Sequence, residues 1–411
     1  MILKNYSIDQ IKMRIIIVAP DVTDTGLAAS FRISVIIESL LREGHSILLF
    51  TSTLPVKKEL TSNSSLEVVH VVNNRQANFF NKGFSKLFGI PDPMVFWALK
   101  VFLRILNNRR QLKEIDFCLL SSPPHSLHII GLLCKRILGI PFFSDFRDDW
   151  MGSHRLNHLT KLHKYFSALV EKKVINEALA VFCAIPVVAK DFSQKFKENS
   201  DKIFVFTNGF KASFREKLLM GNYGESYSAR TIVYCGGGYK GFVTKKINKL
   251  ASEIQALGLS SYWQIVTAGP NIEVFPENRK VWKHYGLVSP ERVEELMVKA
   301  SVHLSLLPEE DLIDSRVIPL KMYSQVATKG SIIFIGNRGV TNEVFNNQPG
   351  VFFLTINEWN ELMPFIVKNQ NILTAKYERN VDEFDYLNIM SDMIKVIGGY
   401  FENSKFLSSK K

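Results

Sequence analysis

One pattern constrains this chain more than any other, and it occurs twice: an unbroken apolar run, a Gly-containing loop, then an amphipathic helix. The first copy begins at MRIIIVAP (13–20) and passes through DVTDTGLAA, which holds Gly26. It continues into a segment that places Phe31, Val35, Ile36, Leu40 and Leu41 on one helical face before Gly44. HSILLFTS (45–52) follows as a second strand. Short apolar runs without alternation belong to strands buried on both faces, as in parallel sheets joined by helical crossovers. A β–α–β start of this kind implies a doubly wound α/β unit that binds ligands at the carboxyl edge of its sheet. The second copy starts at TIVYCGGG (231–238) and runs into KKINKLASEIQAL (245–257).

Further strands are predicted at LEVVHVV (66–72), DFCLLSS (116–122), PFFSDF (141–146), AVFCAI (180–185) and KIFVFTN (202–208). After the restart they are predicted at YWQIVTAGP (262–270), ASVHLSLL (300–307), GSIIFIG (330–336) and VFFL (351–354). Residues 211–230 are polar, contain Gly and Ser and show no apolar period, so they read as a linker. The expected organisation is two Rossmann-like domains, 1–210 (with a polar leader, 1–12) and 231–375, facing a central cleft. A C-terminal helix and tail, 376–411, would pack back on the first domain. At about 150 residues per domain, the length of 411 residues suggests two domains or three.

With 46% hydrophobic and 22% charged residues, the composition excludes disordered, collagenous and disulfide-scaffold classes. No apolar run approaches the roughly 20 residues of a membrane-spanning helix, and MILKNYSIDQIK lacks the apolar stretch of a signal peptide. Cys118, Cys134, Cys183 and Cys235 lie far apart with no zinc-like spacing, which fits a reducing cytoplasm. The 51 Lys and Arg exceed the 39 Asp and Glu, giving +12, a charge suited to nucleic acid, an anionic membrane face or anionic ligands.

Several clusters could carry chemistry. Gly26 opens onto a helix bearing Arg32, either as an ordinary turn or as an anion site at a helix N-terminus. SSPPHSLH (121–128) ends a strand with two prolines and leaves His125 and Ser126 at the sheet's carboxyl edge, with His128 one turn on. SDFRDDW (144–150) gathers Asp145, Arg147, Asp148, Asp149 and Trp150 where a buried strand ends. Charges so placed must pair, stay wet or meet a ligand. The segment reads as a polar site for a hydroxylated ligand, with an Asp as base or orienter and Trp150 as a stacking face, or as a cluster that pins a loop. A metal site is disfavoured because no His or further acid stands at ligand spacing and Arg147 sits among the acids.

Gly236, Gly238 and Gly241 satisfy GxGxxG, yet the next strand ends Thr267-Ala268-Gly269-Pro270 without the acid that a dinucleotide site uses on ribose. Lys240, Lys245 and Lys246 suit a diphosphate instead. Residues 79–113 interleave Phe79, Phe80, Phe84, Phe88, Phe96, Trp97 and Phe102 with seven Lys and Arg residues, and Asp92 is their only acid. That stretch reads as a membrane-surface element, with a core-facing role and single-stranded nucleic acid as the alternatives. Nucleic acid is the least supported partner, because no RNA- or DNA-binding motif accompanies it.

In order along residues 13–355, these segments resemble a family 4 glycosyltransferase of the GT-B fold, of the bacterial surface-polysaccharide type. The most specific part is SSPPHSLHIIGLLCKRILGIPFFSDFRDDW, similar to a family stretch in which PPH…H…GIP leads into DFRDPW, with Asp149 here in place of Pro. VEKKVINEALAVFCAIP, KIFVFTNGF, YCGGGYKG and GLVSPERVEELMVKASVHLSLL follow in the family's order. The resemblance implies sugar transfer from a nucleotide-sugar to a lipid-linked or saccharide acceptor, with retention at the anomeric carbon and neither metal nor cofactor.

It also implies site roles. Asp145, Arg147, Asp148 and His125 would form the catalytic set. Gly26, Asn208, Gly236, Gly237, Gly238, Lys240, Lys245, Lys321 and Ser324 would hold the donor, and Arg32, Ser126 and Trp150 the acceptor. The protein would work in the cytoplasm, docked on the inner face of an anionic membrane. One departure stands out. In PLKMYSQVATKGS, Ser324 stands near the family's ribose-binding Glu, and Arg316 takes the place of the acid eight residues earlier. Hence two alternatives accompany the main reading: a catalytically silent GT-B scaffold at the membrane, or a nucleotide-sugar epimerase.

Overall fold

The computed structural model describes residues 12–23, 28–73, 90–108, 112, 114–152, 159–220, 230–238, 241–307, 316–336 and 339–408. The chain divides into two compact units, Met1–Thr207 with Ile389–Lys411, and Asn208–Asn388. The helix Tyr386–Ser408 contains the second crossing between them.

Unit 1 is built on a parallel sheet of seven strands: β1 (Arg14–Val18), β2 (Ser46–Thr51), β3 (Leu66–His70), β4 (Phe117–Ser122), β5 (Phe142–Phe146), β6 (Val181–Cys183) and β7 (Ile203–Val205). Their spatial order is β3-β2-β1-β4-β5-β6-β7, so the chain winds one way from β1 and then returns to its other side at β4. Every residue of β4 and β5 is buried, including the polar Ser121, Ser122, Ser144 and Asp145 towards their carboxyl ends. The helices used below are α1 (Ala28–Arg42), α2 (Val95–Asn107), α3 (Leu127–Leu133) and α4 (Lys161–Glu177). α3 rides close on the sheet: a Cβ on Gly131 would lie 2.6 Å from the Phe142 ring and 2.7 Å from Leu120.

Unit 2 repeats the plan with six parallel strands in the order β10-β9-β8-β11-β12-β13. These are β8 (Arg230–Cys235), β9 (Trp263–Ala268), β10 (Trp282–His284), β11 (Val302–Leu306), β12 (Ser331–Ile335) and β13 (Val351–Leu354). Its direction switches between β8 and β11. Part of the segment read from sequence as a linker is a helix, α5 (Ala212–Met220). Phe214 is buried in the same core cluster as Phe210, Met322 and Tyr323, and Leu218 packs against that cluster. Arg215 bridges Asp382 at 2.6 Å and Asp385 at 2.9 Å. Two apolar residues one turn apart are too few to reveal a period in sequence. All four cysteines are free and buried.

Candidate functional site

In unit 1 the switch point between β1 and β4 carries a pocket of about 100 Å³. Ala19, Pro20 and Asp21 line it from the end of β1, Ser121, Pro123 and Pro124 from the end of β4, and Ile33 and Arg147 complete it. This is the position at which open α/β sheets bind ligands. Asp21 accepts from the Thr23 amide (3.0 Å), the Thr23 hydroxyl (2.7 Å) and the Thr53 hydroxyl (3.1 Å). Burial pushes this carboxyl up, but those hydrogen bonds outweigh it and hold the group below the usual carboxylate range. Arg147 donates from Nε to the Ser122 carbonyl at 3.1 Å and from Nη2 to the Pro123 carbonyl, which fixes its guanidinium against the Pro-Pro loop. The pocket therefore offers a carboxylate and a guanidinium to a hydroxylated ligand.

Behind the pocket lie several residues that the sequence assigns to contact with substrate. Asp145 and Arg32 are 0% and 1% exposed and face each other, not a ligand. Arg32 Nη2 meets Asp145 Oδ1 at 2.7 Å, Nε meets Oδ2 at 3.1 Å, and Nη1 reaches the Thr207 carbonyl at 2.9 Å. The Ser121 hydroxyl donates to Asp145 Oδ2 at 2.7 Å. The pair is sealed and largely satisfied, so in this structure the two side chains that the resemblance places at the reacting sugar and the acceptor are turned to each other. Trp150 is not an exposed stacking face either. It is fully buried, and its Nε1 donates to the Ser167 hydroxyl at 2.9 Å.

His125 stacks on Trp150 with ring centroids 4.8 Å apart and planes 10° apart, and His128 stacks on Phe146 at 4.5 Å. Burial first, then His128 and Arg147, pushes His125 well below the usual imidazole range. Burial alone takes His128 down to about 3. Both rings are neutral at pH 7, and His125 Nδ1 and both nitrogens of His128 are buried without a partner. Ser126 is turned away from any acceptor, since its amide and hydroxyl both donate to Asp92, at 2.9 and 2.8 Å. Asp92 was not assigned from sequence, although its being the only acid in 79–113 is a usable signal. Asp148 is half-buried at the strand end. Gly26 lies outside the described residues.

In unit 2 the loop after β8 is shaped by glycines. A Cβ on Gly238 would fall 1.7 Å from the Asn271 carbonyl oxygen, so the loops after β8 and β9 touch backbone to backbone. Gly241, with φ +85°, is the N-cap of α6 (Phe242–Ala256). Lys245 is exposed in the first turn of that helix, and Lys246 lies over the Trp359 ring at 5.1 Å. Lys240 lies outside the described residues. Gly236 and Gly237 sit at the end of β8, and the Tyr234 hydroxyl donates to the Gly237 carbonyl at 2.9 Å. Asn208 accepts from the Tyr386 hydroxyl at 3.2 Å.

The most telling group is Lys321, in the first turn of α7 (Leu320–Ala327), the helix between β11 and β12. Its Nζ is buried with no hydrogen-bond partner among the described residues and lies 4.1 Å from the centroid of the Tyr234 ring. Burial pulls this ammonium down to about 7, against a smaller upward pull from Cys235. Ser324 follows one turn later, half-buried on the same side of the helix. A buried amine with no hydrogen-bond partner among the described residues, at a helix N-terminus on the carboxyl edge of a parallel sheet, has the chemistry to receive an anion.

No protein-family model matches this sequence, and no curated protein sequence does. Solved structures do match. A glycosyltransferase from Rickettsia africae aligns over 95% of this chain and 99% of its own, with a TM-score of 0.61 at 15% identity. WaaG, a glycosyltransferase involved in lipopolysaccharide biosynthesis, aligns over 88% and 92%, with 0.55 at 13%. A trehalose-6-phosphate protein from E. coli, bound with UDP-2-fluoro glucose, aligns over 93% and 95%, with 0.55 at 9%. Together with the two parallel sheets, these likenesses define the fold class: α/β, of the GT-B type.

Proposed function

We propose that this chain is a glycosyltransferase that moves a sugar from a nucleotide-sugar to a lipid-linked or saccharide acceptor in surface polysaccharide synthesis, retaining the anomeric configuration and using no metal. The observation that carries the reading is Lys321, whose buried Nζ has no hydrogen-bond partner among the described residues and lies over the Tyr234 ring beside the Gly loop after β8. A nucleoside diphosphate gives this amine an anion to bind, and as the glycosidic phosphate bond breaks, Lys321, Lys245 and the α7 N-terminus meet the growing negative charge. In unit 1, Asp21 and Arg147 orient the acceptor in their pocket, while the Arg32–Asp145 pair keeps β5 and α1 in place.

A lipid-linked acceptor calls for work at a membrane, with the protein on its cytoplasmic face. No helix among the described residues is long and apolar enough to cross a membrane. α2 supports surface contact instead: Val95, Trp97, Val101 and Ile105 face the core, while Leu99, Lys100, Leu103 and Arg104 face solvent. Residues 79–89, 109–111 and 113 of the basic-aromatic stretch lie outside the described residues. The test is incubation of the purified protein with a panel of nucleotide-sugars, reading transfer and hydrolysis. Failure of every donor to react or bind would sink the enzyme reading. Ser324 favours a second reading, a silent scaffold. Turnover gained by Ser324→Glu would mark a weakened enzyme, and donor binding without turnover in both forms would favour the scaffold.

A further inference from the structure

α4 is built the wrong way round for a helix of a freely soluble unit. Its core-facing side carries Ser167 and Glu171 ahead of Val174 and Ile175. Ser167 accepts from Trp150, and Glu171 accepts from the Met151 amide at 3.1 Å and from Lys195. At about 100° per residue, Leu162, Tyr165, Phe166 and Leu169 fall within an arc of about 100° on the opposite side. They are 61%, 59%, 44% and 44% exposed, and Leu159, just before the helix, is 47% exposed. Spacing i, i+3, i+4, i+7 makes them one continuous apolar stripe facing solvent.

We propose that this stripe docks on an anionic lipid surface. The proposal rests on the membrane part of the function proposed above and adds a contact that residues 79–113 do not contain. Two observations select the occupant. Lys161, Lys172 and Lys173 are exposed beside the stripe, whereas Glu171, the one acid between 159 and 173, is buried against Lys195. A second copy of this chain would therefore set cations against cations. In addition, α3 packs against both α2 and α4, so the two helices belong to one flank of unit 1. The same mixture recurs on α2, as Leu99 and Leu103 with Lys100 and Arg104. Two neighbouring helices with outward leucines among cations fit an extended surface whose apolar interior lies under anionic headgroups.

The test is flotation of the full-length protein with phosphatidylglycerol-containing vesicles and with phosphatidylcholine vesicles. The wild type is expected to bind the anionic vesicles and to release with salt. Leu162→Glu/Phe166→Glu is expected to lower partitioning at least tenfold without changing the thermal midpoint, because both side chains already face water. Lys161→Gln/Lys172→Gln should lower it several-fold and flatten the salt dependence. Leu99→Glu/Leu103→Glu serves as the comparator on α2. Unaltered binding by the Leu162/Phe166 variant, with binding lost in the comparator, overturns this inference and leaves the membrane reading standing. Absence of wild-type binding to either vesicle overturns both. A concentration-dependent dimer abolished by the Leu162/Phe166 variant, with no vesicle binding, overturns it in favour of self-association.

Discussion

Arg32 and Asp145, 113 positions apart in sequence, meet as a two-pronged ion pair with Nη2 and Oδ1 at 2.7 Å. The third nitrogen of the guanidinium holds the carbonyl of Thr207, the last residue of unit 1 before the chain first leaves it. Removing one partner leaves a buried charge alone. Arg32→Met or Asp145→Leu is expected to destabilise unit 1 by about 3–5 kcal/mol, whereas the double variant should lose much less. Urea unfolding read by tryptophan fluorescence measures all three, and an additive double variant would refute the coupling.

Lys321 should make the protein sensitive to pH in a definite sense. Its folded value of about 7 lies below that of an exposed lysine, so the unfolded chain binds the extra proton between about pH 7 and 10.5. Stability from this group therefore rises with pH across that window, and its full penalty applies below it. Lys321→Met is expected to stabilise the ligand-free protein at pH 6 by about 2 kcal/mol and to weaken nucleoside diphosphate binding about 10- to 100-fold. Because the bound anion favours the charged amine, wild-type binding near pH 8 should take up a proton. Calorimetry in buffers of different ionisation enthalpy reads that uptake, and the Met variant should show none.

Each unit buries a neutral imidazole. Burial takes both His128 and His303 down to about 3, with a smaller downward contribution at His303 from Arg379 and Lys376. The unfolded chain accepts protons on these rings near pH 6.5, so the stability they permit is present above that value and is lost as pH falls towards 3. His128→Phe, which keeps a ring against Phe146, should flatten the acid limb of a stability–pH curve measured from pH 7 to 4. An unchanged limb would show that His128 is not among the groups titrating there.

Arg379 acts as a staple in unit 2. Its guanidinium donates to the carbonyls of Pro349 (2.7 Å), Gly330 (2.8 Å) and Thr328 (2.5 Å), gathering the end of α7 and the entry to β12. Arg379→Met should cost about 2–4 kcal/mol, and Arg379→Lys should restore less than half, because one ammonium cannot span the three carbonyls. A thermal melt of the three proteins decides the point.

The central strands were legible because burial on both faces writes itself as an apolar run, and each stretch named from sequence holds a strand, including the less buried β3, β7 and β13. β10 escaped because Trp282-Lys283-His284 holds no apolar run, unlike the equally short β6 and β7. The site was legible in position but not in role. The loops at the ends of β1, β4, β5 and β8 were found through their Gly, Pro and charge content, as was Lys321 through the family resemblance. Pairings such as Arg32 with Asp145 or Asp92 with Ser126 depend on strand order, which no local period encodes. The burial of Trp150 likewise comes from Ser167 on a later helix. The inverted face of α4 went unnoticed because a helical stripe looks the same in sequence whether it faces core or solvent.

The four cysteines have a practical consequence. Each thiol is shut inside a unit, and burial pushes Cys235 up to about 12 and raises Cys183 further. The wild-type chain is thus expected to resist maleimide under native conditions. A single cysteine placed at Leu162 or Leu99 would take a fluorophore with no need to strip the native ones, and a change in its emission would report arrival at a surface in real time.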